Sequence, residues 1–107
     1  MKNNLEEFTY FSSLFEIYKN LLTDKQKDIM EKYYCYDLSL NEIATDLEIS
    51  RSGVLDALSH AKDSLVHYEE KLHLLEKINR IKSTLDSSKT ISDEEKEKIV
   101  EDLYYGI

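Results

Sequence analysis

Apolar residues recur at helical spacing through most of the chain, and polar capping residues mark where one helix stops and the next starts. Leu5, Phe8, Phe11, Leu14, Phe15, Tyr18, Leu21 and Leu22 form a broad apolar face, predicting a first helix from about Leu5 to Leu22. Thr23 with Gln26 is a capping box that opens a second helix from Asp24 to about Tyr34, with Ile29, Met30 and Tyr33 pointing inward. Asp37 to Ser39 is the connector. Ser39 with Glu42 opens a third helix, Leu40 to Leu47, on which Leu40, Ile43, Ala44 and Leu47 repeat at helical spacing. Ile49 then supplies a buried turn residue and Ser50 an N-cap, so a fourth helix opens at Arg51. Two short elements joined by a tight turn over Leu38 to Leu55 are the pattern of a helix-turn-helix.

Beyond Arg51 only Gly53 interrupts the run of helix formers before Asp86-Ser87-Ser88-Lys89. Leu58, Ala61, Leu65, Tyr68, Leu72 and Leu75 step by three and four, and Ile78, Ile81 and Leu85 continue after a phase shift. One continuous helix of roughly 35 residues would be about 50 Å long, so it must break, or protrude and find a partner. Leu65, Tyr68, Leu72 and Leu75 are the expected seam of a homodimer. Ser92 with Glu95 makes a third capping box, predicting a last helix from Asp93 to about Tyr105 that packs through Ile99, Val100, Leu103 and Tyr104. The organisation expected is a helix-turn-helix domain over 1–66 and a helical extension over 67–107, packed on the same domain or on a dimer partner.

Composition narrows the class. A chain of 107 residues is one domain's worth, and with no proline and only Gly53 and Gly106 it has little from which to build sheet turns. The fold class is all-α. A formal charge of −8 repels polyanions at long range, so nucleic-acid contact has to be local. Cys35 is alone, with no partner for an intrachain disulfide or a zinc cluster. The opening Met-Lys-Asn-Asn-Leu-Glu-Glu-Phe has charges where a signal peptide is apolar, which points to the cytoplasm. The one mildly basic stretch, with Lys71, Lys77, Arg80 and Lys82 among Glu69, Glu70 and Glu76, is the candidate site for an anionic partner.

Taken in order, Leu14-Phe15-Glu16-Ile17-Tyr18-Lys19-Asn20-Leu21-Leu22-Thr23-Asp24-Lys25-Gln26, Tyr33-Tyr34 with Asp37 to Ala44, and Tyr68-Glu69-Glu70-Lys71-Leu72-His73-Leu74-Leu75-Glu76-Lys77 resemble the YlxM family of small bacterial helix-turn-helix proteins. More distantly, Leu21 to Leu65 is similar to the promoter-binding C-terminal region of bacterial sigma factors. The first resemblance implies an accessory or regulatory role beside the signal recognition particle, with its GTPase, receptor or RNA as partner. A helix-turn-helix fold alone does not choose its ligand.

In a DNA-reading helix-turn-helix the front of the second helix approaches base edges. Arg51, Ser52, Leu55, Ser59 and Lys62 are the candidate partner-binding residues there, and Arg51 could make a bidentate guanine contact. Asp56 opposes phosphate, Ser59 and His60 stand where family members usually carry basic residues, and from Arg51 to Leu65 Arg51 and Lys62 are balanced by Asp56 and Asp63. A DNA-binding regulator is therefore the alternative rather than the first reading, and a pure dimerisation module is the third. Glu48 occupies a turn position that tends to left-handed φ, and adds another acid. Gly53 allows either close approach of a ligand or helix, or simple packing against the third helix. Leu55 is either a protein contact or a widening of the buried face. Tyr33, Tyr34, Tyr36, Tyr104 and Tyr105, with few interleaved bases, suit packing or an interface better than base stacking. Asp56–His60, Asp63–His67, Glu69–His73 and Glu70–His73 read as surface acid–imidazole pairs rather than as a metal site. No phosphate-cradling loop, nucleophile elbow or His-Glu-x-x-His is present, so neither catalysis nor a cofactor is expected.

Overall fold

A computed structural model describes residues 4–105 as six α-helices, with no strand among the described residues. They are α1 (Asn4–Tyr18), α2 (Asp24–Tyr34), α3 (Leu40–Leu47), α4 (Arg51–Leu72), α5 (Leu74–Ser87) and α6 (Asp93–Tyr105), with a 3₁₀ turn at Lys19–Leu21. None is long and apolar enough to cross a membrane.

All three capping boxes form. Thr23 Oγ1 accepts from the Gln26 N–H while Gln26 Oε1 accepts from the Thr23 N–H, each at 3.1 Å. Ser39 and Glu42 do the same at 3.1 and 2.8 Å, and those donors hold the Glu42 carboxyl below the usual range. Ser92 and Glu95 exchange both bonds at 3.2 Å, fixing the start of α6.

The central element is α4, which packs on α1, α2 and α3. Val54, Leu58, Ala61 and Leu65 of α4 meet Leu14, Phe15 and Tyr18 of α1, Ile29 and Met30 of α2 and Ile43 of α3 in one buried cluster. Leu75 and Ile78 of α5 join the same cluster, and α5 and α6 both pack on α1. The molecule is consequently elongated, 53 × 25 × 25 Å.

The first helix departs from expectation at both ends. Leu5, in the first turn, is 78% exposed; Leu21 is 48% exposed because the α-helix stops at Tyr18 and the 3₁₀ turn rotates Leu21 out while Leu22 turns in. Of the two outcomes left open for the long run, the structure shows the break: it falls at His73, whose φ of 55° is left-handed, so a single residue separates α4 from α5. That break redirects the supposed dimer seam. Leu65 is fully buried and Leu75 nearly so, and the half-buried Tyr68 donates its hydroxyl to the Leu21 carbonyl at 3.1 Å. Only Leu72, 44% exposed, faces solvent, so the three-four spacing records packing within one chain instead of a continuous outer stripe.

Glu69 holds the break in place. Its Oε1 accepts from the Tyr18 hydroxyl at 2.7 Å and the Leu75 N–H at 3.0 Å, and its Oε2 from the Glu76 N–H at 3.2 Å. The Tyr18 oxygen accepts in turn from the Leu74 N–H at 3.2 Å. His73 offers no side-chain cap, so a carboxylate from the preceding helix and a tyrosine from α1 satisfy the orphan donors of α5. Burial and the Glu69 carboxylate push the Tyr18 phenol up to about 12.

Candidate helix-turn-helix interface

The turn between α3 and α4 closes as a Schellman motif. The Ile49 N–H donates to the Ala44 carbonyl at 3.0 Å, and Glu48 takes the left-handed position at φ 56°, ψ 44°. Glycine is the usual occupant there; Glu48 carries a steric cost and leaves its carboxylate exposed beside the interface. Ser50 then caps α4, accepting the Gly53 N–H at 2.9 Å. Within the chain, the neighbours of Gly53 are the turn and its cap rather than the third helix. A Cβ at that position would lie 3.1 Å from Ser50 Oγ and 3.7 Å from Ile49 Cδ1, so Gly53 makes room for the turn and cap themselves.

The front of α4 carries Arg51, Ser52, Leu55, Asp56 and Ser59, all exposed. Arg51 makes no ion pair among the described residues, and its guanidinium stands at the first turn of the helix. Ser52 Oγ lies 3.1 Å from Ser50 Oγ. Lys62 is engaged by its own chain: Nζ is 3.5 Å from Glu7 Oε1 and 4.9 Å from the Phe11 ring centre. Asp46 on α3 is half-neutralised by Lys32, which also pairs with Asp28 at 2.7 Å. Among the described residues the interface therefore offers Arg51 as its free cation, in a helix-turn-helix that also exposes Glu42, Glu48 and Asp56. Leu55, 43% exposed, borders a groove of about 390 Å³ that runs past Phe11, Tyr33, Tyr34, Leu40 and Leu58. It is both an outer edge of the buried face and an accessible contact.

The basic stretch is scattered. Lys71 is exposed on α4 and Lys77 on α5; Arg80 reaches Glu76 at 3.5 Å, and Lys82 is half-buried with Nζ 5.8 Å from the Tyr104 ring centre. Two of the four charges are thus already engaged within the chain.

Of the aromatic residues, Tyr33, Tyr34 and Tyr104 pack against the core, with Phe8 4.8 Å from the Tyr34 ring, while Tyr36 and Tyr105 are 64% and 63% exposed. Burial pushes the Tyr34 phenol up to about 12. Cys35 is an exposed free thiol, raised by partial burial and by Glu16 and Glu31. The four expected acid–imidazole pairs do not form among the described residues; His73 Nδ1 instead lies 3.6 Å from Glu76 Oε1. The left-handed turn at His73 removes it from the register of α4, and Glu69 is committed to capping α5. No three His, Cys, Asp or Glu side chains converge among the described residues.

Comparison with known proteins matches this architecture. The model of the UPF0122 family, described as helix-turn-helix protein, YlxM / p13 like, matches residues 5–103. A UPF0122 protein of Caldanaerobacter subterraneus subsp. tengcongensis is 46% identical over 84 residues, covering 78% of this chain and 72% of the relative. One from Mycoplasma capricolum subsp. capricolum is 45% identical over 100 residues, covering 92% and 88%. The YlxM protein of Bacillus subtilis is 41% identical over 95 residues, covering 89% and 86%. This chain belongs to the UPF0122 family of YlxM / p13 like helix-turn-helix proteins.

Proposed function

We propose that this chain is a non-catalytic accessory or regulatory protein that binds nucleic acid through the front of α4, with Arg51 as its recognition cation. The observation that carries the reading is the exposed guanidinium, unpaired among the described residues, at the first turn of the second helix of a helix-turn-helix. The acidic surroundings make contact local: an overall charge of −8 weakens sequence-independent binding, so affinity depends on a few short-range contacts. In this reading, which rests on the YlxM resemblance alone, the ligand is the protein or RNA component of the signal recognition particle, with its RNA as the nucleic acid, and the role is in co-translational targeting. A DNA-binding regulator is the second reading, favoured by the same guanidinium, since Arg51 has the placement for bidentate contact with guanine.

One titration separates them. The protein is titrated against labelled particle RNA, the particle GTPase and duplex DNA across a range of salt. Arg51→Ala should weaken the productive complex roughly 5- to 150-fold if it reads a base. If it meets a phosphate instead, the log–log salt slope falls by about 0.7 for single strands or about 0.9 for duplex. Sequence-selective duplex binding with none to the RNA overturns the targeting assignment. Binding to neither nucleic acid, or binding indifferent to Arg51→Ala, overturns the proposal.

A further inference from the structure

On the side of the molecule formed by α1 and α6, the two helices leave a groove of about 460 Å³. Its origin is visible in the sequence: Thr9, Ser12 and Ser13 are short side chains on α1 and fail to fill the space against α6. The walls are apolar, from Phe8, Val100, Tyr104 and Tyr105, and the volume is within the roughly 300–1,000 Å³ of ordinary ligand clefts. Its rim is acidic. Glu16, Glu97 and Glu101 line it, and Glu97 and Glu101 are exposed with no ion-pair partner among the described residues. These two stand four apart on one helix, a like-charge spacing that a cation bound between them would relieve. Lys19 answers Glu16 at 3.8 Å at one end, leaving the rest of the rim negative.

We infer that this groove docks a basic amphipathic helix of a partner protein, whose apolar side chains enter between Phe8 and Val100 while its lysines or arginines meet Glu97 and Glu101. A helix laid in a groove is a recurrent mode of peptide recognition, and charge complementarity selects the occupant. The acidic rim rejects nucleic acid and anionic lipid. A second copy of this chain is a poor fit as well, since it brings 22 acidic residues against 14 basic ones, and the basic positions Arg80 and Lys82 are held within their own chain. The groove is lined by other helices than the α4 front, so a partner can occupy it without displacing a ligand at Arg51.

The test uses the full chain and two synthetic peptides of about five helical turns. One is a leucine–lysine amphipathic helix; the other is its leucine–glutamate twin. The lysine peptide should bind, the twin should not, and amide shifts on binding should centre on Val100 and Ser12. Reversing the rim with Glu97→Lys and Glu101→Lys should weaken binding roughly ten-fold or more, while the same charge change at Glu31→Lys and Glu70→Lys should change it less than about three-fold. Ser12→Leu fills the floor without removing any packing, and should block binding while circular dichroism remains that of the wild type. Equal binding of both peptides, equal effects of the two reversals, or shifts centred elsewhere overturn the inference. Sedimentation of a dimer that Ser12→Leu disperses overturns it too, by identifying the occupant as a second copy.

Discussion

Replacing Glu69 with alanine should destabilise the fold far more than an exposed helical glutamate normally would. The side chain accepts three hydrogen bonds, two of them from backbone donors at the start of α5 and one from a hydroxyl on a fully buried ring. Loss of a helix cap costs about 0.5–2 kcal/mol. Leaving the Tyr18 hydroxyl without its acceptor adds about 1–3 kcal/mol. Against these stands a gain of a few tenths of a kcal/mol in helix propensity on going to alanine. The net expectation is a loss of about 2–4 kcal/mol, or roughly 10–20 °C in Tm for a domain of this size. Thermal and urea melts followed by circular dichroism give the number. Tyr18→Phe should cost about 1–2 kcal/mol, and the double variant should fall short of the sum by about 1 kcal/mol, since both remove the same bond. A loss below about 0.5 kcal/mol for Glu69→Ala, the ordinary value for a surface position, would show that α5 does not depend on this carboxylate.

Tyr18 and Tyr34, both pushed up to about 12, should be the last phenols to ionise in an alkaline absorbance titration. Their folded values lie above the unfolded value of 10.0, so their contribution is complete below pH 10 and stability falls as pH rises towards about 12. Early ionisation of all eight tyrosines without unfolding would contradict the burial described. Glu48→Gly, relieving the left-handed φ of 56°, should stabilise the protein by about 0.5–1 kcal/mol in a urea melt, and a neutral or negative result would mean that the carboxylate has a compensating role. Leu65→Asp should unfold the chain, because a charge placed at a fully buried site has no partner, whereas Leu72→Asp should stay within about 0.5 kcal/mol of wild type. Equal effects at the two positions would refute the assignment of the three-four stripe to the inner face of α4.

The starts of α2, α3, α4 and α6 were legible because they are set locally. Ser39 with Glu42, Thr23 with Gln26 and Ser92 with Glu95 are contacts between residues three apart, and each formed as its spacing predicts. The left-handed turn at Glu48 was legible for the same reason. The break at His73 was not, because no glycine or proline marks it and it is held by a contact between residues 51 apart in the chain, Tyr18 and Glu69. Along the chain, Glu69 reads as one more surface acid four residues before a histidine. Its pairing becomes apparent only when α1 lies beside the end of α4. The engagement of Lys62 by Glu7 and Phe11 is hidden in the same way. The groove between α1 and α6 left a faint trace in the short side chains of Thr9, Ser12 and Ser13 on an otherwise apolar helix, but that trace acquires meaning only once α6 is known to pack there.

The single-residue junction at His73 also sets the mechanics of the molecule. A loop between α4 and α5 would let the two ends move independently; here one residue joins them, and the Glu69 carboxylate of α4 ties the first turn of α5 back to α4. At 1.5 Å per residue α5 is about 21 Å long, so a tilt of about 10° at this joint displaces its far end by roughly 3–4 Å. Because α6 packs against both α5 and α1, such a swing would open or close the space between α1 and α6. The hydroxyl of Tyr18, bonded to both Glu69 and the Leu74 N–H, therefore fixes the angle between α4 and α5 and with it the width of that space.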